Sequence, residues 1–556
     1  MIMPAEAEPV EARGDFLNQL LFAGDAARRL IAMQDRDPNS PSFGSFHCAY
    51  WRDKTSEFSD ARFQEAGATL GLLAHPHFAA LGAARGWPSG AEMTEASYAG
   101  LLHLQRIQYP EGCYDEWYKG ERGYAATAFT TFAYASMANF LGPLLPEKLR
   151  DILLPTLSSA AGWLTRHEDL VKTNHEVVAA AALAAFSRTS GDAKWLGSAT
   201  EKMRTCISVQ SDEGWFPELR GMDFGYSALV LDYLMFYHRA SGDPAVLKPA
   251  SALLEFMLAH LHPDITLSAE GGTCRNSYAG QCGYLLLAPH NAAAGAIAEQ
   301  LAGMNSSRLR ISSYLGDDLR LARWSLLPVM GALISTAGPK TSSEQRDIPY
   351  PQGWTLHRKA SVAAYHRGGL HVYVPFAGGG VTRIYSGSEL CVSDFGIDVT
   401  SSSGTFTALS YSAERPAALT DATFSVSFEL AKPKYFFPSF LQRLLLRSGS
   451  LTAVTSRFTR AAIDVYRQRA KTAINQASTS VGHGRSGLFL SREIAIGDGH
   501  VAITDILKGA AGAEAILRYR AKDHHVARPA TPVATGELTV SKTYDTSSHK
   551  LVEKIW

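Results

Sequence analysis

A repeat of about fifty residues constrains the fold of this 556-residue chain more than any other feature. The segment 186–192, Phe-Ser-Arg-Thr-Ser-Gly-Asp, recurs 51 residues later (237 − 186) as Tyr-His-Arg-Ala-Ser-Gly-Asp at 237–243. The same step joins His175 to Tyr226, and another step back reaches Tyr124. A fixed period of this length is typical of arrays in which each unit is one helix pair. It predicts that equivalent helices stack side by side, so that His175 and Tyr226 emerge next to each other at one rim.

Apolar residues three and four positions apart predict helices from about residue 15 to residue 336. Gly, Pro, Ser and Asp separate the helical segments. Many segments are rich in Ala and apolar on more than one side, which favours an inner ring of helices packed on both faces. The predicted helices span 124–140, 147–164, 176–188, 194–209, 226–239, 245–261 and 283–301.

Past residue 336 the pattern changes to alternation, which predicts strands. Segments 360–366 and 370–377 flank an Arg-Gly-Gly turn, as in a β-hairpin. The predicted fold class is α+β, with an N-terminal (α/α) toroid of helical hairpins and a C-terminal antiparallel β-sandwich. The predicted units are a toroid at 1–336, a linker at 337–350 and a sandwich at 351–556, with further strands at 392–400, 405–411, 422–430, 487–496 and 500–506.

A basic segment at 431–471 fits neither pattern. It holds nine Lys and Arg residues and a single acid, Asp464, together with short apolar runs. One interpretation is a solvated helical insertion on the sandwich. The other is a basic amphipathic segment that makes peripheral contact with a membrane or binds a polyanion.

Composition narrows the class of protein. The net charge is zero, so no overall field would recruit nucleic acid. The six cysteines form no CxxC pair, and no cluster of residues has metal-ligand spacing, so no cofactor is predicted. Residues 1–13 lack the basic region and apolar core of a signal peptide, which predicts a cytoplasmic protein.

Four consecutive residues open the Ala-rich helix at the predicted rim. Thr173 and Glu176 have the spacing of a capping box, in which each side chain satisfies a backbone amide at the helix start. Asn174 and His175 would then occupy the first turn with side chains facing the mouth. The positive end of the helix dipole favours a neutral imidazole, which is able to accept a proton.

The next inner helix presents a phenol at the equivalent place. Asp223 is the expected N-cap, and Tyr226 follows it as a candidate general acid. Arg275 and Asn276 precede the following helix, and a guanidinium with an amide suits a carboxylate ligand. The alternative for Arg275 is that it ties down loop carbonyls.

Aromatic and basic residues near this rim are candidates for binding sugar rings. An equally good interpretation is a loop plug packed onto the core. The candidate substrate-binding residues, with Asn276, are Trp117, Tyr118, Arg122, Tyr124, Trp215 and Tyr278.

With its Asn174-His175 pair and a tyrosine about fifty residues on, the chain resembles heparinase II/III-like polysaccharide lyases, including the oligoalginate lyases. The resemblance implies cleavage of a uronate-containing polysaccharide or oligosaccharide by β-elimination, which leaves a 4,5-unsaturated uronate. It implies that Asn174, with Arg275, neutralises the uronate carboxylate. Tyr226 would protonate the leaving oxygen, and His175 or a residue of the sandwich would take the carbon-bound proton.

The sandwich departs from that family. Its members usually carry a strand motif of the form HxHxD, often with a metal nearby. This chain has Arg383 and Tyr385 in the corresponding region, and Tyr385 is the predicted second catalytic residue.

Two other functions belong to different classes. The first is a glycoside hydrolase on the same toroid, which would use two carboxylates. The second is a non-catalytic protein that binds saccharides or assembles exopolysaccharide. The carboxylates available to a hydrolase are Asp212, Glu213, Glu218, Asp223 and Glu270.

Overall fold

Helices fill the first part of the chain and strands the second, with the change falling between Ala337 and Gly353. The computed structural model describes residues 14–47, 58–169, 171–219, 221–276, 278–280, 282–303, 317–337, 346–409, 411–412, 415–433, 439–449, 458, 481–482, 486–521, 524–527, 531–533 and 537–555. Residues 1–13, residues 338–345 of the predicted linker and most of the basic segment 431–471 lie outside the described residues. The predicted order, a helical toroid followed by an antiparallel sheet domain, is confirmed.

The helices are bounded as follows: α1 Gly14–Asp25, α2 Ala27–Ala32, α3 Glu65–Leu73, α4 Ala79–Arg85, α5 Gly90–Ile107, α6 Tyr124–Leu141, α7 Glu147–Leu164, α8 Thr173–Ser190, α9 Lys194–Ser208, α10 Phe224–Ser241, α11 Leu247–Leu258, α12 Cys282–Leu287, α13 Ala292–Gly303, α14 Asp318–Trp324, α15 Leu326–Ala337 and α16 Phe440–Gly449.

The strands are bounded as follows: β1 Gly353–His357, β2 Val362–Arg367, β3 Leu370–Val374, β4 Thr382–Ser386, β5 Glu389–Ser401, β6 Gly404–Thr407, β7 Ala417–Leu419, β8 Thr423–Glu429, β9 Lys432–Pro433, β10 Val481–Gly482, β11 Phe489–Gly497, β12 His500–Lys508, β13 Ala513–Ala521, β14 His524–Ala527, β15 Thr531–Val533, β16 Glu537–Asp545 and β17 Lys550–Ile555.

The helices of the described chain form two concentric rings. The inner ring runs α3, α6, α8, α10, α12 and α15, each packed against the next, and α15 also contacts α3, so that the ring closes. Outer helices pack behind it, including α5 behind α3, α7 behind α6, α9 behind α8 and α11 behind α10. This arrangement is the predicted toroid of helical hairpins.

Burial separates the inner helices from the outer ones. In α8 every residue from Thr173 to Phe186 except His175 is buried, because the helix is covered on both faces. Outer helix α9 buries only one stripe, spaced three or four residues apart as an amphipathic helix requires: Trp195, Ala199, Met203 and Cys206. The Ala-rich composition of the inner segments therefore reflects double-sided packing.

The 51-residue repeat corresponds to equivalent helix ends. Helices α8 and α10 both have 18 residues and both end at a Ser-Gly-Asp sequence. Gly191 and Gly242, which follow them, adopt left-handed conformations with φ of 73° and 72°. A residue without a Cβ takes this conformation at little cost, so the repeated glycine ends each helix at the same point.

One predicted helix is wrong in extent. Segment 283–301 is broken into α12 and α13, with a turn at residues 288–291 between them. Pro289 lies in that turn, and a proline within a helical pattern removes a backbone donor and clashes with the preceding turn.

The described strands form two large antiparallel sheets and a small pair. The first sheet has the order β1-β2-β3-β4-β5-β13-β14, with β6 added to β5 and β15 to β13, and the second has the order β17-β16-β12-β11-β8-β7. Side chains of both sheets share one hydrophobic core, to which Val372 and Ile384 contribute from the first sheet and Phe424 and Ile494 from the second.

The opposite face of the first sheet packs on the toroid. On β2, Ala363 and Tyr365 face the shared core of the sheets, whereas His366 turns to the toroid and hydrogen bonds through Nε2 to the Ala259 carbonyl oxygen at 2.9 Å. Tyr373 donates to the Leu261 carbonyl oxygen at 2.8 Å. The alternation of strand side chains thus places one set in each of two interfaces.

A buried network of four charges joins the two sheets. Arg492 lies 2.7 Å from both Asp394 of the first sheet and Asp505 of the second, and Lys542 contacts the same two carboxylates. All four side chains are fully buried, and the Arg492 and Lys542 charges outweigh burial and hold the pKa of Asp394 at about 2. Each buried charge is therefore paired, as low dielectric surroundings demand.

Helix α16 is the longest described part of the basic segment. Its Phe440, Leu441 and Leu444 side chains are exposed. None of the helices in the described part of the chain combines the length and apolar character needed to cross a lipid bilayer.

Candidate active site

The first turns of α8 and α10 are joined by the loop between α9 and α10. Asn174 donates from Nδ2 to Glu218 Oε2 at 2.6 Å, and Glu218 pairs through its backbone with Lys172. Thr173 donates to the Pro217 carbonyl oxygen at 2.7 Å. Because α8 and α10 also pack side by side, the loop fixes both helix starts at the same rim.

Asn174 is buried, with 1% exposure, which corrects the expectation that its amide faces the mouth freely. Its Oδ1 and the Oε1 of Glu218 have no hydrogen-bond partner among the described residues. Burial raises the pKa of Glu218 to about 8, although the Asn174 hydrogen bond and the Lys172 charge oppose the shift. Glu218 is therefore a neutral acid at pH 7 that holds the Asn174 amide in place.

His175 is only partly buried, and its ring makes one side-chain hydrogen bond among the described residues. Nδ1 lies 2.8 Å from Asp169 Oδ2, and the Phe129 ring meets the imidazole edge-on at a centroid distance of 6.3 Å. Burial and the charge of Lys172 lower the pKa of His175, and the Asp169 contact opposes this only in part. The imidazole is thus neutral at pH 7, as predicted from its place at a helix start.

The predicted capping box at Thr173 and Glu176 is wrong. No side chain caps α8, and Thr173 instead bonds to the Pro217 carbonyl oxygen. Glu176 accepts a hydrogen bond from the Asp169 backbone amide and lies 3.1 Å from Lys202. Both side chains are taken by the loops that flank the helix start.

Tyr226 stands in the first turn of α10, partly buried against the toroid core. Asp223 accepts from the Tyr226 backbone amide at 3.0 Å, so the predicted N-cap is confirmed. The second oxygen of Asp223 accepts from the Cys274 amide at 2.9 Å. Gly225 lies so close to Asn276 that a Cβ on it would come within 2.5 Å of the Asn276 carbonyl oxygen. The loop before α12 is thereby locked onto the start of α10.

Arg275 is exposed on that loop and has a φ of 52°. Arg122 and Leu219, in the loops before α6 and α10, have φ of 51° each. Residues with a Cβ rarely adopt this left-handed region, and such strain concentrates at functional sites. Three loops at the starts of inner helices therefore carry backbone conformations that only surrounding structure maintains.

The aromatic loop before α6 divides into exposed and packed residues. Trp117 is 65% exposed and lies over the Arg323 guanidinium, 5.4 Å from it, while Tyr118 is half-buried. Arg122 packs over the Tyr109 ring at 4.5 Å. Trp117 is thus more exposed than Tyr118 in this loop.

Three other predicted residues face protein. Tyr124 packs against Trp163, with ring centroids 5.9 Å apart. Tyr278 has 3% exposure and donates to Asp232, and Trp215 has 9% exposure and donates to Glu213 at 3.0 Å. Their ring faces are covered because they lie between helices or under loops, which corrects the expectation that they line a substrate surface.

Tyr385 lies in the interface between toroid and sheet. It has 2% exposure, and its hydroxyl is 3.2 Å from His262 Nδ1. Arg383, beside it, binds Glu270 through both guanidinium nitrogens at 2.5 and 2.8 Å. Both are occupied in joining the two domains, which corrects the prediction of Tyr385 as the second catalytic residue.

A different tyrosine of the sheet domain reaches the rim. Tyr411 follows β6, and a Cβ on Gly221 would lie 2.2 Å from its hydroxyl oxygen. Burial and the nearby Asp223 raise the pKa of Tyr411. Sequence patterns did not single out this residue, because its position depends on how the two domains dock.

The five carboxylates available to a hydrolase all have partners. Asp212 lies 2.8 Å from Lys359 of the sheet domain, and Glu213 accepts from the Lys359 and Ala360 amides. Glu270 is held by Arg383. The remaining two, Glu218 and Asp223, are buried at the starts of α8 and α10. In the described residues, no three or more His, Cys, Asp or Glu side chains come together as a metal site would require.

Comparison with known proteins identifies the fold. No protein-family model and no curated protein sequence matches the chain. A chondroitin AC lyase of Streptomyces coelicolor A3, solved in complex with chondroitin sulphate, aligns over 100% of this chain and 77% of its own, with a TM-score of 0.53 and 11% identity. The chain has a polysaccharide lyase fold.

Two further solved structures are similar to a lesser degree. Heparinase III aligns over 100% of this chain and 83% of its own, with a TM-score of 0.49 and 10% identity. A family 76 glycoside hydrolase of Bacteroides thetaiotaomicron, a mannosidase, aligns over 57% of this chain and 99% of its own, with a TM-score of 0.36 and 12% identity.

Proposed function

We propose that this protein of polysaccharide lyase fold cleaves a uronate-containing polysaccharide or oligosaccharide by β-elimination. The observation that carries the proposal is the pairing of a neutral, carboxylate-bound His175 with Tyr226 at adjacent helix starts. Elimination needs a base for the carbon-bound proton and an acid for the leaving oxygen. Adjacent first turns of two inner helices supply one candidate for each role.

His175 is the candidate base. Its Nδ1 is committed to Asp169, and no hydrogen bond is found at Nε2 among the described residues. The side chain is 13% exposed, so the ring is within reach of a ligand at the rim. A base with a pKa below its ordinary value is unprotonated at pH 7 and ready to accept.

Lys172 is the candidate for neutralising the uronate carboxylate, because the Asn174 amide is buried and held by Glu218. The Lys172 ammonium is close enough to shift the pKa of Asp169, His175 and Glu218. Charge stabilisation at the developing enediolate is usually the largest catalytic contribution, so a cation here acidifies the adjacent C5–H bond. Arg275, exposed on the neighbouring loop, is suited to bind another part of the polysaccharide.

Tyr226 is the candidate acid. In the reaction, Nε2 of His175 takes the C5 proton and the electron pair of that bond forms the C4–C5 double bond. The C4–O bond breaks, and the Tyr226 hydroxyl donates a proton to the departing glycosidic oxygen. No water is consumed, in keeping with the engagement of all five hydrolase candidates in structural contacts.

The test is an assay of alginate, chondroitin and heparin-type polysaccharides for ultraviolet absorbance of the unsaturated uronate, with reducing ends measured in parallel. Wild-type protein is expected to raise both signals together on at least one polymer. The Tyr226→Phe variant is expected to lose about 10²–10⁴-fold in rate, the usual contribution of a general acid.

Tyr98→Phe is the matched control, because Tyr98 lies on α5 of the outer ring beside Lys148. It is expected to retain wild-type activity. New reducing ends without absorbance, or full activity in Tyr226→Phe, would contradict the proposal.

A further inference from the structure

The contact between Asp169 and His175 determines the protonation pattern of the imidazole ring. Asp169 lies six residues before His175, just ahead of α8, and its Oδ2 is 2.8 Å from Nδ1. The carboxylate side chain is 28% exposed and the imidazole 13%. Neither ring nitrogen is otherwise hydrogen-bonded within the described residues, so Asp169 alone decides which nitrogen carries the proton of the neutral ring.

An ionised carboxylate only accepts hydrogen bonds. At 2.8 Å from Asp169, Nδ1 must therefore be the protonated nitrogen, and the lone pair of the neutral ring is at Nε2. The other tautomer would set two lone pairs against each other at that distance. The contact thus leaves Nε2 as the proton acceptor.

The charges around the pair reinforce this state. Burial opposes ionisation of Asp169, but the His175 hydrogen bond and the Lys172 charge outweigh it and hold its pKa below the ordinary value. The Glu116 carboxylate, from the loop before α6, favours the protonated imidazole, whereas burial and Lys172 disfavour it more strongly. Tyr124 also faces Asp169, and it stays a neutral phenol because burial raises its pKa. Asp169 is consequently charged and His175 neutral at pH 7.

We propose that Asp169 is a positioning residue, which fixes His175 in the tautomer and orientation that present Nε2 to the substrate. The proposal rests on the function proposed above, in which His175 takes the C5 proton. The Phe129 ring also meets the imidazole edge-on, so the carboxylate and an aromatic ring both contact it.

Three variants test the proposal in the full-length protein. Asp169→Asn keeps the shape but replaces the acceptor by an amide that donates to Nδ1, which moves the ring proton to Nε2. Asp169→Glu keeps the carboxylate. Glu168→Gln is the matched control, because Glu168 is the adjacent acid and is exposed.

Two readouts are taken. The first is a long-range proton–nitrogen correlation spectrum of protein labelled at the histidine nitrogens, which reports the tautomer directly. The His175→Gln variant assigns the His175 signal. The pH profile of kcat/KM reports the ionisation of the base. Wild type and Glu168→Gln are expected to show the Nδ1–H tautomer and equal activity.

Asp169→Asn is expected to show the Nε2–H tautomer and to lose about 10²–10⁴-fold in kcat/KM. The acidic limb of its residual activity should move to lower pH, because the carboxylate no longer favours the imidazolium. Asp169→Glu is expected to recover most of the activity. An Nε2–H tautomer in the wild type, or an unchanged tautomer and acidic limb in Asp169→Asn, would overturn the proposal. If no polysaccharide is cleaved, the wild-type and Asp169→Asn tautomers still decide the positioning of the ring, and only the function assigned to His175 fails.

Discussion

Arg323 closes the toroid, and its replacement by Met should destabilise the protein strongly. Arg323 lies on α14 near the end of the helical domain, and its Nη2 is 2.6 Å from Asp60 near the beginning. Its Nη1 is 2.9 Å from Glu116, and none of the three side chains exceeds 8% exposure. Arg323→Met leaves two buried carboxylates without their cation, and removing one partner of a buried pair costs about 3–5 kcal/mol.

Arg320→Met is the matched control on the same helix. Its ion pair with Asp317 spans 3.5 Å between side chains that are 50% and 57% exposed, and pairs of this kind contribute only about 0.3–0.5 kcal/mol. Thermal unfolding measures both effects. At about 2 °C per kcal/mol for a large domain, Arg323→Met should lower Tm by about 6–10 °C and Arg320→Met by about 1 °C.

The pH dependence provides a second check on the same reasoning. Burial already raises the pKa of Asp60 despite the Arg323 charge, and loss of that charge would raise it further. When a carboxyl has a higher pKa in the folded state than in the unfolded state, it destabilises the folded state at pH values above the unfolded-state pKa. Below that pKa the group is protonated in both states and has no effect. The Arg323→Met deficit should therefore shrink as the pH falls towards about 4. Equal Tm losses in the two variants, or a deficit independent of pH, would refute the assignment of Arg323 to a buried ion-pair network.

Two further predictions concern the rim. Gly225→Ala should disrupt the contact between the start of α10 and the loop before α12 and abolish activity, because its Cβ would lie 2.5 Å from the Asn276 carbonyl oxygen. Gly197→Ala is the control in an outer helix with open space around it, and it should raise stability by up to about 1 kcal/mol in the same unfolding assay. Glu218→Gln should remove a pH dependence of the free energy of unfolding. Because burial raises the pKa of Glu218 to about 8, this carboxyl ionises only in the unfolded state between about pH 5 and about pH 8, and wild-type stability falls as the pH rises through that range. A Tm difference between Glu218→Gln and wild type that does not grow over this range would contradict that account.

The sequence predicted the frame of the site because its repeat is local and periodic. Identical steps between His175 and Tyr226 and between the two Ser-Gly-Asp segments gave the helix starts and ends that the structure contains. The break at Pro289 was also visible in the sequence, but the apolar spacing on both sides outweighed it in the prediction.

Contacts made by tertiary folding were beyond the reach of those patterns. Glu218 meets Asn174 across 44 residues, and Tyr411 reaches the rim from the other domain. Tyr385 was predicted from its place in the region where the resembling family carries its strand motif, and strand alternation places its side chain on the face away from the sheet core. That alternation does not show that a second domain covers that face.

Asp169 was missed for a different reason. It lies near His175 in sequence, but a carboxylate in an irregular loop has no periodic position from which its direction can be predicted. Its role follows only from the conformation of the chain that enters α8.

The most direct test of a lyase mechanism is the mass of the products. Wild-type protein would be incubated with a uronate oligosaccharide of defined length, and the products weighed by mass spectrometry. Elimination adds nothing to the substrate, so the masses of the two fragments should sum to that of the oligosaccharide, with one fragment unsaturated. A sum larger by one water molecule would mean hydrolysis and would contradict the roles given to His175 and Tyr226.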